Sequence, residues 1–193
     1  KGLFQRKPYA LKAVGLLVLA SVPTAIIGLT LEGLVHNITS FGVGGLLIAN
    51  AGILLTTRRA TPDQGEPEFW SMSFRVALLI GVAQGIAVLP GISRSGATIA
   101  TALALGVRSG SAAAFSFLAS IPAILGAALL TATEIQDFSQ ADIHASILGS
   151  LIAATVGIIC LRALLKILAG AHFHHFAWYC GLMGLLGIGA GLL

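Results

Sequence analysis

Residues 76–107 read VALLIGVAQGIAVLPGISRSGATIATALALGV, and the rest of the chain is interpreted around this stretch. Two apolar limbs, residues 76–89 and 97–107, enclose a polar cluster at residues 90–98. The longer limb would form a helix of about 21 Å, whereas the hydrocarbon core of a bilayer is about 30 Å thick. Together the limbs predict a re-entrant hairpin at about 76–107. Irregular backbone at membrane depth requires surrounding protein or a water-filled cavity, which a binding site provides.

The polar cluster has the composition of an anion-binding site. Arg94 supplies a forked cation that suits phosphate oxygens, and glycine lets the backbone approach a ligand closely. A helix starting at Ala97 would turn its free N–H groups and positive dipole end toward the same anion. The residues predicted to form this site are Gly91, Ser93, Arg94, Ser95, Gly96 and Thr98.

The cost of burying an arginine supports this interpretation. An arginine near the bilayer centre costs at least about 2.5 kcal/mol, so it is retained where it meets a partner, a cavity or a ligand. The alternative is that residues 93–98 only cap a helix while Arg94 reaches toward the membrane surface. The anion site is the preferred interpretation.

The composition is that of an integral membrane protein. Of the 193 residues, 56% are hydrophobic and only 9% are charged, which excludes an ordinary soluble domain. The formal net charge of +4 is attributed to basic residues in the loops of a membrane protein. It is therefore not interpreted as a nucleic-acid-binding surface, and no nucleic-acid partner is expected. Cys160 and Cys180 lie in apolar segments and indicate no disulfide framework.

Outside the hairpin, hydrophobic segments predict five transmembrane helices within a single all-α transmembrane domain, residues 1–193. These segments are residues 13–31, 41–57, 111–131, 145–168 and 177–193. Small residues at helix-packing spacings predict close contacts between helices. They are Gly42, Gly45 and Ala49 in the second segment, and Gly181, Gly184, Gly187 and Gly191 in the last.

The distribution of basic residues predicts the topology. If the hairpin enters and leaves on one face, nearly all basic residues lie on that face, including Arg58, Arg59 and Arg108. If residues 76–107 crossed the membrane once, Arg108 and the following basic residues would move to the opposite face, against the positive-inside tendency. The basic face is therefore predicted to be cytoplasmic. The sequence does not decide the oligomeric state and allows a homodimer.

Few other side chains suggest chemistry at the depth of Arg94. Gln84, on the first limb, is predicted to add an amide to the anion site. The carboxylates fall in loops, so no general base or metal ligand is placed beside Arg94. The histidines at 172, 174 and 175 are interpreted as an interfacial basic loop rather than a metal site. A divalent cation, Mg²⁺ or Ca²⁺, would offset the charge of a diphosphate, although no metal ligand set is visible.

The motif P-G-x-S-R-S-x-x-T at residues 90–98 resembles the second signature of the undecaprenyl-diphosphate phosphatases, the bacitracin-resistance proteins of bacterial inner membranes. The resemblance implies hydrolysis of the lipid carrier diphosphate to the monophosphate, by a fold of two inverted repeats whose re-entrant hairpins meet near the midplane. It implies that Arg94 binds phosphate and stabilises the transition state, with Ser93 and Thr98 as hydrogen-bonding partners. The predicted catalytic residues are therefore Arg94 and Ser93. Gln84 falls where the family has a polar residue.

The family's first signature, a hairpin with paired glutamates, has no counterpart in this sequence. We therefore expect the chain to be the C-terminal part of such a phosphatase, able to bind a diphosphate lipid but to hydrolyse it negligibly by itself. Two alternatives remain open at this point. One is a lipid-phosphate transporter, because secondary transporters also place anion sites on broken helices at the midplane. The other is a non-catalytic protein that binds diphosphate lipid.

Overall fold

The computed structural model describes residues 7–35, 37–59, 68–134, 140–170 and 172–192. These residues form seven α-helices and short 3₁₀ turns, with no strand element among them, so the predicted all-α class is confirmed. The helices are α1 (Lys7–Val35), α2 (Ser40–Thr56), α3 (Phe74–Ile86), α4 (Arg94–Ala104), α5 (Ser109–Glu134), α6 (Gln140–Ala169) and α7 (Phe176–Gly191). The turns are Thr57–Arg59, Phe69–Ser71 and Phe173–His175.

Three helices are long and apolar enough to cross a membrane, which confirms the membrane class. They contain the segments Tyr9–Val35, Ser109–Leu129 and Asp142–Ala169. Helices α2, with 17 residues, and α3, with 13, are apolar but shorter.

Helix α3 packs against α1 at positions without side chains. A Cβ atom at Gly81 would collide with the backbone of Ala20, and one at Gly85 would lie 2.7 Å from Ile27 Cβ. The Thr24 hydroxyl lies 2.9 Å from the carbonyl oxygen of Ala20 in α1 and 2.9 Å from that of Gly81 in α3. Its single proton is shared between these two acceptors. Because the contacts advance in the same direction along both helices, α1 and α3 run parallel.

Helices α2 and α7 form the second close pair, and they run antiparallel. A Cβ atom at Gly44 would lie 2.7 Å from both Gly184 O and Ile188 N, and one at Gly191 would lie 2.8 Å from Phe41 N. At this separation the two backbones are in direct contact. The predicted packing role of glycines in the last helix is confirmed for Gly184 and Gly191.

The predicted packing face of α2 was wrong. Among the described residues, a Cβ atom at Gly45 would meet nothing within 4 Å, and Ala49 is exposed. A Cβ atom at Gly42 would meet Ile38 Cγ2, which precedes α2 in the chain, rather than α7. The face that meets α7 carries Gly44 and Ala51, two helical turns apart, because a helix repeats its face every 3.6 residues.

Helix α4 lies between two groups of helices. It packs against α3 and α5, which belong to the group built on α1, and also against α2 of the α2–α7 pair. One buried apolar cluster runs through both groups, and its members include Leu16, Leu54, Ile99 and Phe115. The start of α4 is therefore positioned by both groups at once.

Helix α6 is attached mainly through α5. All its residues from 142 to 160 are exposed, and most of them are apolar. A helix that is hydrophobic all round and exposed is suited to contact with lipid.

Candidate anion site at the start of α4

Helix α4 begins at Arg94, three residues before the predicted start at Ala97. Ser93 accounts for the difference because it is the N-cap: its Oγ accepts a hydrogen bond from the Gly96 N–H at 3.1 Å. The Ala97 N–H donates to the Ser93 carbonyl at 2.8 Å. Within the described part of the chain, the free N–H groups of the first turn therefore belong to Arg94 and Ser95. Ser93 therefore caps α4, as the alternative interpretation expected, and a cavity is also present beside Arg94.

Gly91 fits the turn before α4 tightly against α2. Its φ of 105° lies in the left-handed region that side chains disfavour. A Cβ atom there would lie 2.8 Å from Val43 O and 3.1 Å from Leu47 N. The space that the glycine leaves is occupied by the α2 backbone, so Gly91 sets the position of the turn.

Asn50 ties the turn to α2 and α7, and sequence reasoning missed it. Its side chain is 1% exposed, and Oδ1 accepts a hydrogen bond from the Ser93 N–H at 3.0 Å. Its Nδ2 donates to Cys180 Sγ at 3.3 Å. The available signal was an amide in the middle of an otherwise apolar helix, where a polar group requires a partner.

Thr98 connects α4 with α5. Its hydroxyl is completely buried, donates to the Arg94 carbonyl at 2.8 Å and lies 2.6 Å from Ser116 Oγ. Because a hydroxyl carries one proton, Ser116 is the donor in the second bond. The structure thus places Thr98 behind Arg94, on the side of α5.

Gln84 lies between α3 and α5. It is 2% exposed, and Nε2 donates to the Ala119 carbonyl at 3.1 Å. Oε1 has no hydrogen-bond donor among the described residues. Gln84 lines neither of the two cavities described next, and its predicted binding role stays a prediction.

A small cavity of about 230 Å³ opens beside Arg94, and we call it the arginine cavity. It is lined by Arg94, Ser95, Ser116, Phe117 and Ser120. Arg94 is exposed, and its guanidinium has no hydrogen bond or ion pair with any residue that the structure describes. An unpartnered arginine facing hydroxyl groups is complementary to an anion with several oxygens.

A second cavity of about 430 Å³ also reaches the start of α4, and we call it the aromatic cavity. Its polar lining consists of Asn50 and the cluster residues Ser93 and Ser95. The remaining lining is Leu47, Leu54, Gly91, Ile92, Gly96, Leu164, Phe173, Phe176, Tyr179 and Cys180. Ser95 lines both cavities, so the two meet at the first turn of α4.

Comparison with known proteins identifies the family. The family model for bacitracin resistance protein BacA matches residues 2–186. The chain belongs to the BacA family. It is 43% identical over 184 residues to an undecaprenyl-diphosphatase of Desulforapulum autotrophicum, covering 94% of this chain and 66% of that protein.

Other relatives carry the same name. An undecaprenyl-diphosphatase of Desulfosudis oleivorans is 44% identical over 180 residues, covering 93% of this chain and 65% of the relative. One of Methanosphaera stadtmanae is 38% identical over 178 residues, covering 90% and 62%. The chain therefore spans slightly less than two thirds of the length of these BacA-family relatives.

Among the described residues of this BacA-family chain, no carboxylate or histidine lines the arginine cavity or the aromatic cavity. Glu32 lines a separate cavity between α1 and α5, and Glu68 and Asp142 are exposed. The side chain of Glu134 and all of Asp63, Glu66 and Asp137 lie outside the described residues.

The histidine loop of this BacA-family chain forms a compact group of rings. The ring centroids of His174 and His175 are 4.4 Å apart, and those of His172 and His175 are 5.3 Å apart. Within the described ranges, no group of three or more His, Cys, Asp or Glu side chains is arranged to hold a metal ion. The predicted divalent cation, Mg²⁺ or Ca²⁺, stays a prediction.

Proposed function

We propose that the chain acts in the hydrolysis of undecaprenyl diphosphate to undecaprenyl phosphate and inorganic phosphate, in the bacterial inner membrane. This reaction recycles the lipid carrier of cell-wall synthesis and gives resistance to bacitracin. The observation that carries the proposal is the Arg94 guanidinium, which faces the serines of the arginine cavity without a partner among the described residues. The diphosphatase names of the relatives support the same reaction.

In this proposal Arg94 binds the terminal phosphoryl group. Its planar fork donates two parallel hydrogen bonds to phosphoryl oxygens, and Ser95 contributes a hydroxyl group. The N–H groups of Arg94 and Ser95 add the positive end of the α4 dipole. Hydrolysis breaks the bond between the terminal phosphorus and the bridging oxygen, and these groups stabilise the charge on the phosphoryl oxygens in the transition state.

The chemistry also requires a base that activates the nucleophile. Ser93 was predicted to be catalytic, but its Oγ accepts the capping bond from the Gly96 N–H, and among the described side chains it lies within hydrogen-bond distance of Ser95 Oγ, at 3.5 Å. Neither neighbour is a base. We therefore assign phosphate binding and charge stabilisation to this chain, and positioning of the α4 start to Ser93.

Transport of a lipid phosphate is the second candidate, because a broken-helix anion site is also a transporter feature. The names of the relatives favour hydrolysis, since each is called a diphosphatase. Phosphate release in detergent separates the two functions, since detergent leaves no second compartment to receive a transported lipid.

The finer membrane topology is part of the proposal: five crossings and a re-entrant α3–α4 hairpin. The antiparallel packing of α2 against α7 supports it. If α2 ends on the cytoplasmic side, α7 must start there, so an even number of crossings separates them. Helices α5 and α6 supply two crossings, so residues 76–107 cannot add a single crossing. The lengths of α3 and α4, about 20 Å and about 17 Å, agree because both are shorter than a bilayer core.

Substitution of Arg94 tests the proposed function. Binding of inorganic diphosphate and of farnesyl diphosphate to the purified chain is measured by calorimetry in detergent. We expect Arg94→Lys to weaken both by about tenfold, because a point charge cannot replace a bidentate pair, and Arg94→Ala to weaken them further. Phosphate release from farnesyl diphosphate is measured on the same samples. We expect the unchanged chain to release no more phosphate than the Arg94→Ala variant.

Arg108 provides the matched control, because it is also exposed and lines neither cavity. Arg108→Lys and Arg108→Ala are expected to bind both ligands like the unchanged chain. Equal loss of binding in the Arg94 and Arg108 variants would reduce the effect to net charge and contradict the proposal. Arg94-dependent phosphate release by the chain would refute the division of roles given above.

A further inference from the structure

We propose that the aromatic cavity binds the first isoprene units of the polyprenyl chain whose diphosphate is bound at the start of α4. The inference rests on the proposed function, and it assigns a site to the hydrocarbon part of the substrate. It follows from how the two cavities share the first turn of α4.

The lining of the aromatic cavity changes from polar to apolar. Its polar groups, Asn50, Ser93 and Ser95, come from α2 and the start of α4. Its other walls are built from leucines of α2 and α6 and from the aromatic residues around the start of α7. Cavities that bind small molecules have this character: mostly hydrophobic and aromatic walls with a few polar groups that fix orientation.

Ser95 connects this cavity with the arginine cavity. A diphosphate bound to Arg94 and Ser95 has its ester oxygen within reach of the first turn of α4, and the attached carbon chain must continue from there. The arginine cavity, at about 230 Å³, is lined by three serines, whereas the aromatic cavity, at about 430 Å³, offers an apolar surface directly across Ser95. Burial of hydrocarbon favours the second route.

The aromatic side chains at this cavity are available for a ligand. Tyr179 is 64% exposed and Phe176 is 40% exposed, although both belong to the cavity wall. Phe173 is buried, and its ring meets that of Phe176 edge to face with centroids 5.9 Å apart. Branched isoprene units fill the space against such angled rings and remove apolar surface from water.

Chain-length dependence gives the first test. Dissociation constants of inorganic diphosphate, isopentenyl diphosphate and farnesyl diphosphate are measured at one detergent concentration. We expect farnesyl diphosphate to bind at least about tenfold more tightly than isopentenyl diphosphate, because additional methylene groups are buried. Equal affinities for the two prenyl ligands would overturn the inference.

Filling the cavity gives the second test. Leu164 of α6 is half-buried and lines the cavity, whereas its neighbour Leu165 is 41% exposed and lines neither cavity. We expect Leu164→Trp to weaken farnesyl diphosphate binding by about tenfold and to leave inorganic diphosphate binding unchanged. Leu165→Trp, the matched control, should change neither, which also excludes a general effect on the micelle.

The outcomes separate the two proposals. If inorganic diphosphate binds through Arg94 but Leu164→Trp binds farnesyl diphosphate normally, the cavity assignment is wrong and the proposed function stands. If no ligand depends on Arg94, the proposed function fails first. If Leu164→Trp is not monodisperse, Leu47→Phe fills the same cavity from α2 and carries the same expectation.

Discussion

Ser93 organises the start of α4 through its backbone as much as through its side chain. Its Oγ caps the helix, while its N–H is bound by the Asn50 side chain of α2. The amide of Asn50 is therefore a positioning group for Arg94, which is the next residue in the chain.

Replacing Asn50 tests this arrangement. We expect Asn50→Ala to lower the free energy of unfolding by about 1–3 kcal/mol, because the Ser93 N–H loses its buried acceptor. Inorganic diphosphate binding should weaken by about tenfold because Arg94 is no longer fixed. Asn37→Ala is the control, since that side chain is exposed and, among the described residues, donates only to the Gly33 carbonyl near the end of α1. Unfolding in detergent and calorimetry measure both effects, and normal diphosphate affinity in Asn50→Ala would refute the positioning role.

At the level of single residues, the sequence predicted Arg94 and the serines but not their supports. An arginine among glycines and hydroxyls has few explanations in an apolar chain, so its chemistry could be inferred. Asn50 lies 43 positions before Ser93, and only the packing of α2 against the turn brings them together. Ser116 was missed for the same reason, because α5 folds back to place it against Thr98.

At the level of helices, the contact between α2 and α7 gives a clear prediction. A Cβ atom at Gly184 would lie 2.7 Å from Ile48 Cγ1 and 2.8 Å from Gly44 O, whereas one at Gly45 would meet nothing within 4 Å. We expect Gly184→Ala to destabilise the chain by about 1–3 kcal/mol. Gly45→Ala should be neutral or stabilising by up to about 1 kcal/mol, because alanine is the better helix former.

Unfolding of the two alanine variants in the same detergent measures the difference. Equal effects would mean that α2 and α7 do not pack at Gly184. Gly44 and Gly45 show the limit of sequence reasoning, which predicted a helix contact at Gly45 and missed the one at Gly44. Small residues indicate that a helix packs closely, but the face that packs is decided by the partner.

The predicted hairpin and its bounds illustrate the same limit. Two short helices could be predicted there because both apolar limbs are shorter than a span, and the structure has α3 and α4 at these positions. The start of α4 was predicted three residues too late, at Ala97. Ser95 and Gly96 were treated as loop residues, whereas Ser93 caps a helix that includes both of them.

At the level of the whole molecule, the proposed topology predicts which residues share a face of the membrane. Arg58 and Arg108 are both exposed and should be cytoplasmic, while Asn37, between α1 and α2, should lie outside. Single cysteines are introduced at these positions after Cys160→Ala removes the exposed native thiol. A membrane-impermeant maleimide should label position 37 in intact cells, and positions 58 and 108 only after permeabilisation. Labelling of 58 and 108 from opposite sides would show that residues 76–107 cross the membrane.

The position of α4 between the two helix groups has a mechanical consequence. Its start is attached to α2 through Asn50 and Ser93, and its first turns are attached to α5 through Thr98 and Ser116. These anchors are five residues apart, which is about 7.5 Å along a helix. Bilayers of different thickness tilt and shift membrane helices. We expect any sliding of the α2–α7 pair past the α1 group to be absorbed within these five residues, and therefore to move Arg94 between the two anchors.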